Sequence, residues 1–180
     1  ASLIGRGINS VEGVTAKIRT VPEVYPETTS SKNEIPESGS LFATLEDLET
    51  CSGLALGSPT RFGNMAAPLK YFLDLATSAW IKGALENKPA CVFTSSGSMH
   101  GGNESTLLSM QLPLFHLGMV LVGVPYSAPS LSNTKGGGTP YGASHIGGEK
   151  NNSPISDDEK SICITQGVRL AEIAKKLNSK

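Results

Sequence analysis

Two polar, glycine-containing segments each follow a short apolar run, and both carry residue types that can bind a ligand. The segment 57–64 reads Gly-Ser-Pro-Thr-Arg-Phe-Gly-Asn and offers a hydroxyl, a guanidinium and an aromatic ring ahead of a helix start. The segment 95–102 reads Ser-Ser-Gly-Ser-Met-His-Gly-Gly, whose glycines let the backbone approach a ligand closely. Together these groups suit an anionic or planar ligand. When each segment is taken alone, the alternative interpretation is an ordinary turn for 57–64 and a flexible linker for 95–102.

Several familiar sites are excluded by the motifs that the chain lacks. There is no G-x-G-x-x-G and no G-x-x-x-x-G-K-[ST], so neither a Rossmann nor a P-loop nucleotide site is indicated. The G-x-S-x-G elbow of many hydrolases is missing as well. Three cysteines without a C-x-x-C pair argue against a zinc site and against a disulfide framework. The three histidines are too widely spaced to form a metal set.

Composition narrows the class of protein further. The 180 residues include 15 Lys and Arg and 16 Asp and Glu, which gives a net charge of −1. That balance excludes a strongly basic nucleic-acid binder. No apolar run approaches the ~20 residues of a membrane span, and no signal peptide opens the chain. With unpaired cysteines, these features favour a cytoplasmic protein.

Short apolar runs alternate with amphipathic stretches, which predicts an α/β domain with a parallel sheet. We expect the two ligand-binding segments to lie side by side, because ligands bind beyond the carboxyl ends of such strands. The predicted elements are helix 2–9, strand 15–21, loop 22–40, helix 41–48, strand 53–56, helix 66–77, strand 90–94, a helix from Asn103 to Gly118, strand 119–122, a Gly/Ser-rich insert 127–155, and a final helix that opens on a capping box of Ser156 and Glu159.

The sequences of several stretches, and their order along the chain, resemble those of one family. They are "SPTRFGNM" at 58–65, Trp80, "FTSSG" at 93–97, "GMV" at 118–120 and "GGTPYGA" at 137–143. The chain is similar in these stretches to the WrbA family of flavodoxin-like NAD(P)H:quinone oxidoreductases. The resemblance runs from about residue 3 to residue 177.

The resemblance implies a flavodoxin-like three-layer sandwich, with a twisted parallel sheet in the order 2-1-3-4-5. It implies bound FMN, NADH or NADPH as hydride donor, a quinone substrate and a homotetramer. It implies no protein acid or base, because the flavin itself carries the hydride. The residues that match the family's FMN contacts are Thr60, Arg61, Phe62, Gly63, Asn64, Ser95, Ser96, Gly97, Ser98, Gly101 and His116, and those that match its substrate pocket are Trp80 and Phe62.

The chain departs from the family pattern at its beginning. Members open with a strand and a phosphate loop of the type S-x-Y-G, whereas this sequence opens on Ala1 with the end of the helix that follows that loop. We therefore expect a single domain, 1–180, that is truncated at its N-terminus and lacks the first, central strand. We also expect these residues alone to bind FMN poorly, since the loop would supply the amides for the phosphate.

Two other functions remain open at this point. One is a flavodoxin-type one-electron carrier, although such carriers are usually strongly acidic and this chain is nearly neutral. The other is a non-enzymatic, degenerate relative that acts through protein interaction, which the missing phosphate loop would favour.

Overall fold

A computed structural model describes residues 1–24, 36 and 38–178 of the chain. The described part forms a mixed sheet with helices around it. The strands are β1 (Leu54–Arg61), β2 (Asn64–Met65), β3 (Pro89–Ser96), β4 (Val120–Leu121) and β5 (Ala143–Ile146). The helices are α1 (Ser2–Asn9), α2 (Leu45–Thr50), α3 (Ala67–Asp74), α4 (Thr77–Ile81), α5 (Asn103–His116), α6 (Pro129–Asn133) and α7 (Asp157–Asn178).

The centre of the sheet is β3, which pairs in parallel with three strands. Its partner on one edge is β1, with Leu54 opposite Ala90 and Pro59 opposite Ser95. The strands β4 and β5 also pair with β3, at 89–90 and at 93–96 respectively. These two short strands therefore act as the halves of one strand that the intervening residues 122–142 interrupt. The predicted parallel α/β class is confirmed, and β2 adds one antiparallel hairpin.

The side chain of Gln166 closes the gap between the two half-strands. Its Nε2 donates to the carbonyl of Val92 at 3.0 Å, and its Oε1 accepts from the amide of Ala143 at 2.9 Å. Gln166 is fully buried. A helix side chain thus satisfies two buried backbone groups that an uninterrupted strand would have paired.

Alternation along β3 divides the core between two helix layers. Ala90 and Val92 belong to the main cluster, to which α5 contributes Leu107 and Met110. Cys91, between them, packs with Leu170 of α7 instead. Successive strand residues point to opposite faces, so helices cover both faces of the sheet and the three-layer arrangement predicted for the fold is confirmed.

Two glycines let α1 pack tightly against α7. A Cβ at Gly7 would lie 2.3 Å from the carbonyl oxygen of Ile164, and one at Gly167 would lie 2.2 Å from that of Ile4. Only glycine permits so close an approach of the two backbones. The predicted helix 2–9 and the capping box of Ser156 and Glu159 are both present.

Some local predictions were wrong. The segment 15–21 makes a single bridge, Thr20 to Phe42, because among the described residues no strand lies along it. The helix predicted at 66–77 ends at Asp74 and α4 follows it. The short helix begins at Leu45, where Thr44 and Asp47 form a capping box.

The predicted insert, the predicted loop and the predicted missing strand have different outcomes. The insert at 127–155 contains both α6 and β5, which its glycine-rich composition concealed. Much of the predicted loop 22–40 lies outside the described residues. The absence of a first, central strand stays a prediction. In the described part of the chain, residues 54–59 of β1 have a strand partner on one edge only.

Candidate functional site

The tip of the β1–β2 hairpin presents one aromatic ring to solvent. Phe62 and Gly63 connect the strands, with Thr60 opposite Met65 and Arg61 opposite Asn64. Both connecting residues have positive φ, 53° and 76° respectively, as a two-residue hairpin turn with the twist of its strands requires. Phe62 is fully exposed and gains nothing from packing. A bulky residue in the left-handed region with a solvent-exposed ring indicates a ligand-binding role.

Helix α5 holds this hairpin in place. The hydroxyl of Thr106 donates to Thr60 Oγ1 at 2.8 Å, and that of Ser109 donates to Asn64 Oδ1 at 3.1 Å. On the strand side, Ser58 Oγ accepts from the amide of Ala66 at 2.8 Å. The hairpin residues Thr60, Arg61, Phe62, Gly63 and Asn64, all predicted to contact a cofactor, therefore form one braced unit.

The loop after β3 lies against the same hairpin, as the sequence predicted. Ser95 and Ser96 end β3, and Gly97, Ser98 and Gly101 lie in the loop that leads into α5. Within the loop, Ser96 Oγ donates to the carbonyl of Ser98 at 2.7 Å. A Cβ at Gly102 would lie only 2.9 Å from Gly63 Cα. The two loops thus touch at glycine backbones.

Unpaired donors concentrate where these loops meet. Within the described residues, the amides of Ser98, Met99 and His100 have no hydrogen-bond acceptor. Helix α5 follows directly, and its first amides have no acceptor within the helix. Its N-cap is Gly102, which has no side chain to satisfy them. The site therefore offers backbone N–H groups to a ligand that carries carbonyl oxygens or other acceptors.

A third loop borders the site, and the sequence analysis missed it. The amide of Gly147 donates to the carbonyl of Ser96 at 2.8 Å, and the carbonyl oxygen of Gly148 lies 3.6 Å from the Cβ position of Gly97. The Gly147-Gly148 pair follows a strand as the other two loops do. That position is the signal that could have revealed it, had β5 been recognised.

The structure does not bring Trp80 and His116 to these loops within one chain. Both line a cleft of about 450 Å³ between α3, α4 and the end of α5, with Leu73, Ala76 and Leu117 among its walls. His116 is the last residue of α5, whereas the loop of Ser95–Gly101 lies before the first residue of that helix. A 14-residue helix is about 20 Å long. The predicted site residues therefore form two groups, at opposite ends of α5.

The helices that form the cleft expose large apolar side chains. Half or more of each of six side chains on these helices or at their ends is exposed, namely Tyr71, Leu75, Trp80, Ile81, Leu112 and Phe115, and Trp80 lines the cleft itself. Leu112 and Phe115 lie on α5, three residues apart, and so share a helix face. Exposed apolar patches of this kind mark interaction surfaces.

The glycine run at 136–138 is not a free phosphate cradle, because its amides already have acceptors. Gly137 donates to Glu159 Oε1 at 2.9 Å, Gly138 to Ser144 Oγ at 2.8 Å and Gly136 to Thr134 Oγ1 at 3.2 Å. Burial acts to raise the pKa of Glu159, but hydrogen bonds from backbone amides and from His145 outweigh it and lower that pKa. Glu159 is thus an ionised carboxylate that anchors the loop.

No nucleophile or metal centre emerges from the described residues. Burial raises the pKa of the Cys91 thiol to about 12, so it is an inert core residue. All three cysteines are unpaired. In the part of the chain that the structure describes, no cluster of His, Cys, Asp and Glu could hold a metal ion. No described helix is both long and apolar enough to cross a membrane.

A three-layer α/β domain with its candidate ligand groups beyond the strand ends belongs to the doubly wound α/β folds, of which the flavodoxin-like fold is one. Solved structures support this fold. A flavodoxin, WrbA-like protein from Agrobacterium tumefaciens aligns with a TM-score of 0.59 at 22% identity, over 79% of this chain and 78% of that one. A flavodoxin from the domain Archaea aligns with a TM-score of 0.60 at 17% identity, over 97% and 87%.

Within that fold the family is established by sequence. Residues 9–133 match the family model of NADPH-dependent FMN reductase, and the chain belongs to this family. A protein of Syntrophobacter fumaroxidans named NAD(P)H dehydrogenase (quinone) is 41% identical, over 98% of this chain and 90% of that protein. One of the same name from Geobacter metallireducens is 40% identical, over 98% and 91%.

Proposed function

We propose that the protein catalyses the FMN-dependent, two-electron reduction of quinones by NADH or NADPH. The observation that carries this function is the contact of the hairpin of Phe62 and Gly63 with Gly102, at the end of the loop that follows β3. Family membership and two relatives named NAD(P)H dehydrogenase (quinone) support the same activity. In this chemistry the flavin ring accepts a hydride from the nicotinamide and passes it to the quinone.

The residues at the loops fit a flavin ring. The exposed ring of Phe62 offers an aromatic face for stacking. The amides of Ser98, Met99 and His100 can donate to the carbonyl oxygens along the ring's polar edge. Arg61 bears a cation beside Phe62, and its Nη1 donates to the carbonyl of Thr60 at 2.8 Å. The protein's part is to bind and orient the ring, and no side chain needs to transfer a proton.

We also propose that the complete site forms between copies of the chain, in a homotetramer. Trp80 and His116 match substrate and cofactor residues of the family, yet they lie at the far end of α5 from the flavin loops. The helices around them expose large apolar side chains, and the exposure of such side chains to water is unfavourable. A second copy that covers this surface can carry its own Phe62 hairpin to the cleft. Each quinone pocket would then combine the loops of one copy with Trp80 of another.

Localisation in the cytoplasm remains a proposal. It rests on three unpaired cysteines in an α/β domain, which is the usage of a reducing compartment.

The test is a steady-state assay of NADH and NADPH oxidation, with benzoquinone as acceptor and saturating FMN. We expect turnover that requires both FMN and quinone, with hydroquinone formed in equimolar amount to the nucleotide oxidised. A one-electron carrier would instead reduce a protein acceptor such as cytochrome c in preference to the quinone. A degenerate interaction protein would bind no flavin and show no turnover.

A further inference from the structure

The buried amide of Asn103 has one satisfied end and one unsatisfied end. Asn103 is the first residue of α5 and is only 3% exposed. Its Nδ2 donates to the carbonyl of Met99 at 3.3 Å. Its Oδ1 is buried as well, and among the described residues it has no hydrogen-bond donor. No other buried side-chain N or O atom in that part of the chain is left without a partner.

The orientation of this amide is fixed by its neighbour. If the amide were turned over, Oδ1 would face the carbonyl oxygen of Met99, and two acceptors would repel each other. The unsatisfied atom is therefore the acceptor. A buried acceptor without a donor is costly, and such groups are uncommon in folded proteins.

Donors suited to this acceptor lie in the adjoining loop. The amides of Ser98, Met99 and His100 have no acceptor within the described residues. Nδ2 of Asn103 already holds Met99, which lies in the middle of that stretch. Glycines at 97, 101 and 102 flank it, and Gly102 has a φ of 95°. The Cβ position of Gly97 has only the carbonyl oxygen of Gly148 nearby, at 3.6 Å, so the backbone can rotate there with little steric resistance.

We propose that Asn103 is a positioning residue that couples flavin binding to closure of the loop of Ser95–Gly101. When flavin binds, the backbone N–H of Ser98 turns onto Oδ1, while Nδ2 keeps the Met99 carbonyl and the Ser98 carbonyl keeps its bonds from Ser96 Oγ and the Gly101 amide. The amide then holds the loop through both of its ends, and the remaining N–H groups face the ring. This inference rests on the proposed flavin function.

The coupling has a thermodynamic consequence that a purely structural role lacks. An acceptor that is unsatisfied without ligand and satisfied with it contributes to ligand affinity and not to the stability of the ligand-free protein. Asn103→Leu keeps the approximate shape and removes both hydrogen-bonding groups. It should leave the ligand-free protein as stable as wild type or more so, and weaken flavin binding about tenfold.

The experiment compares wild type, Asn103→Leu and the control Gln111→Leu, an amide-to-leucine change on the same helix. Urea unfolding gives the stability of each ligand-free protein, and fluorescence quenching gives its affinity for FMN and for riboflavin. Hydrogen exchange of residues 97–103 is followed with and without FMN. We expect FMN to slow exchange at residues 98–100 in wild type and in Gln111→Leu, and not in Asn103→Leu.

A second variant guards against misfolding of the first. Asn103→Gln retains both ends of the amide, with a donor for the Met99 carbonyl and an acceptor, on a side chain one carbon longer. It should retain FMN and riboflavin binding within about threefold of wild type and keep the slowed exchange.

Each failure has its own meaning. If Asn103→Leu lowers the stability of the ligand-free protein and leaves flavin affinity unchanged, or if FMN does not slow exchange at 98–100 in wild type, the proposed coupling is overturned while flavin binding stands. If wild type binds neither FMN nor riboflavin, the proposed function fails and the coupling fails with it.

Discussion

The hydroxyl of Thr106 donates a 2.8 Å hydrogen bond to the hydroxyl of Thr60, and this contact joins the two halves of the proposed flavin site. Thr60 lies on the hairpin that carries Phe62, and Thr106 lies on the first turn of α5, just after the glycine loop. Thr106 is fully buried. The relative position of the two loops therefore depends on a packed pair of side chains and not on the loops alone.

Removing that hydrogen bond should loosen the site. Thr106→Val keeps the side-chain shape but deletes the donor, so we expect a loss of about 1 kcal/mol in unfolding free energy. FMN affinity should fall several-fold because the hairpin is less well held. Thr165→Val, on α7 and remote from the site, is the matched control. Unchanged FMN affinity in Thr106→Val would show that the loops are positioned without this bond.

Phe62 should matter for ligand and not for fold. Phe62→Gly removes an exposed ring and relieves a positive φ, so the stability should stay constant or rise by up to about 1 kcal/mol. FMN affinity should fall at least tenfold. Asn87, another non-glycine residue with positive φ, supplies the control Asn87→Gly. Calorimetry and fluorescence titration measure both quantities. If Phe62→Gly binds flavin as tightly as wild type, the ring of Phe62 is not part of the flavin site.

Gln166 should be among the most sensitive positions of the core. Gln166→Leu leaves the carbonyl of Val92 and the amide of Ala143 buried without partners. We expect a loss of about 2–4 kcal/mol in urea unfolding. The control Gln111→Leu removes a bond from Gln111 Nε2 to the Tyr141 carbonyl at an exposed position, and should cost less than about 1 kcal/mol. Equal losses at the two positions would contradict the role assigned to Gln166.

The stability of the protein should decline in acid partly through Glu159. Its pKa is lowered in the folded state from an ordinary value of 4.5. A carboxyl group of this kind stabilises the fold above its unfolded pKa, and that contribution is lost as the pH falls through the folded pKa. Urea unfolding at pH 7, 5 and 4 should show Glu159→Gln destabilised at pH 7, with a smaller decrease towards pH 4 than wild type. Parallel pH profiles for the two proteins would refute this assignment.

Catalysis between copies can be tested with mixed oligomers. Phe62→Gly should inactivate the loops of a copy, and Trp80→Ala should inactivate its cleft. If each site takes its loops and its cleft from different copies, unfolding and refolding the two variants together restores some activity, because some sites receive both intact parts. Analytical ultracentrifugation of each variant verifies assembly. A mixture no more active than its components would place both parts of the site on one chain.

Much of the local architecture follows from sequence pattern. The capping box of Ser156 and Glu159, helix 2–9 and the meeting of the two loops all depend on signals within a few residues, or on the rule that parallel strands end at one edge. Strand β5 was not predicted, because glycines surround it in the sequence and part of its hydrogen bonding comes from Gln166, which lies far along the chain. The segment 15–21 has strand periodicity, but its pairing depends on neighbours that the pattern does not specify.

The candidate site, too, was predicted from the sequence only in part. Residue types at 57–64 and 95–102 indicated a ligand, and the hairpin confirmed that they meet. The left-handed turn of Phe62, the unsatisfied Asn103 and the separation of Trp80 from the loops depend on three-dimensional packing, which no short spacing encodes.

The proposed function is tested by rapid mixing of the FMN-loaded protein, without oxygen, first with NADPH or NADH and then with benzoquinone. The visible absorbance of the bound flavin should be lost on addition of the nucleotide and return on addition of the quinone, with one quinone reduced for each flavin reoxidised. A bound flavin that the nucleotide cannot reduce, or that the quinone cannot reoxidise, would contradict the proposed function.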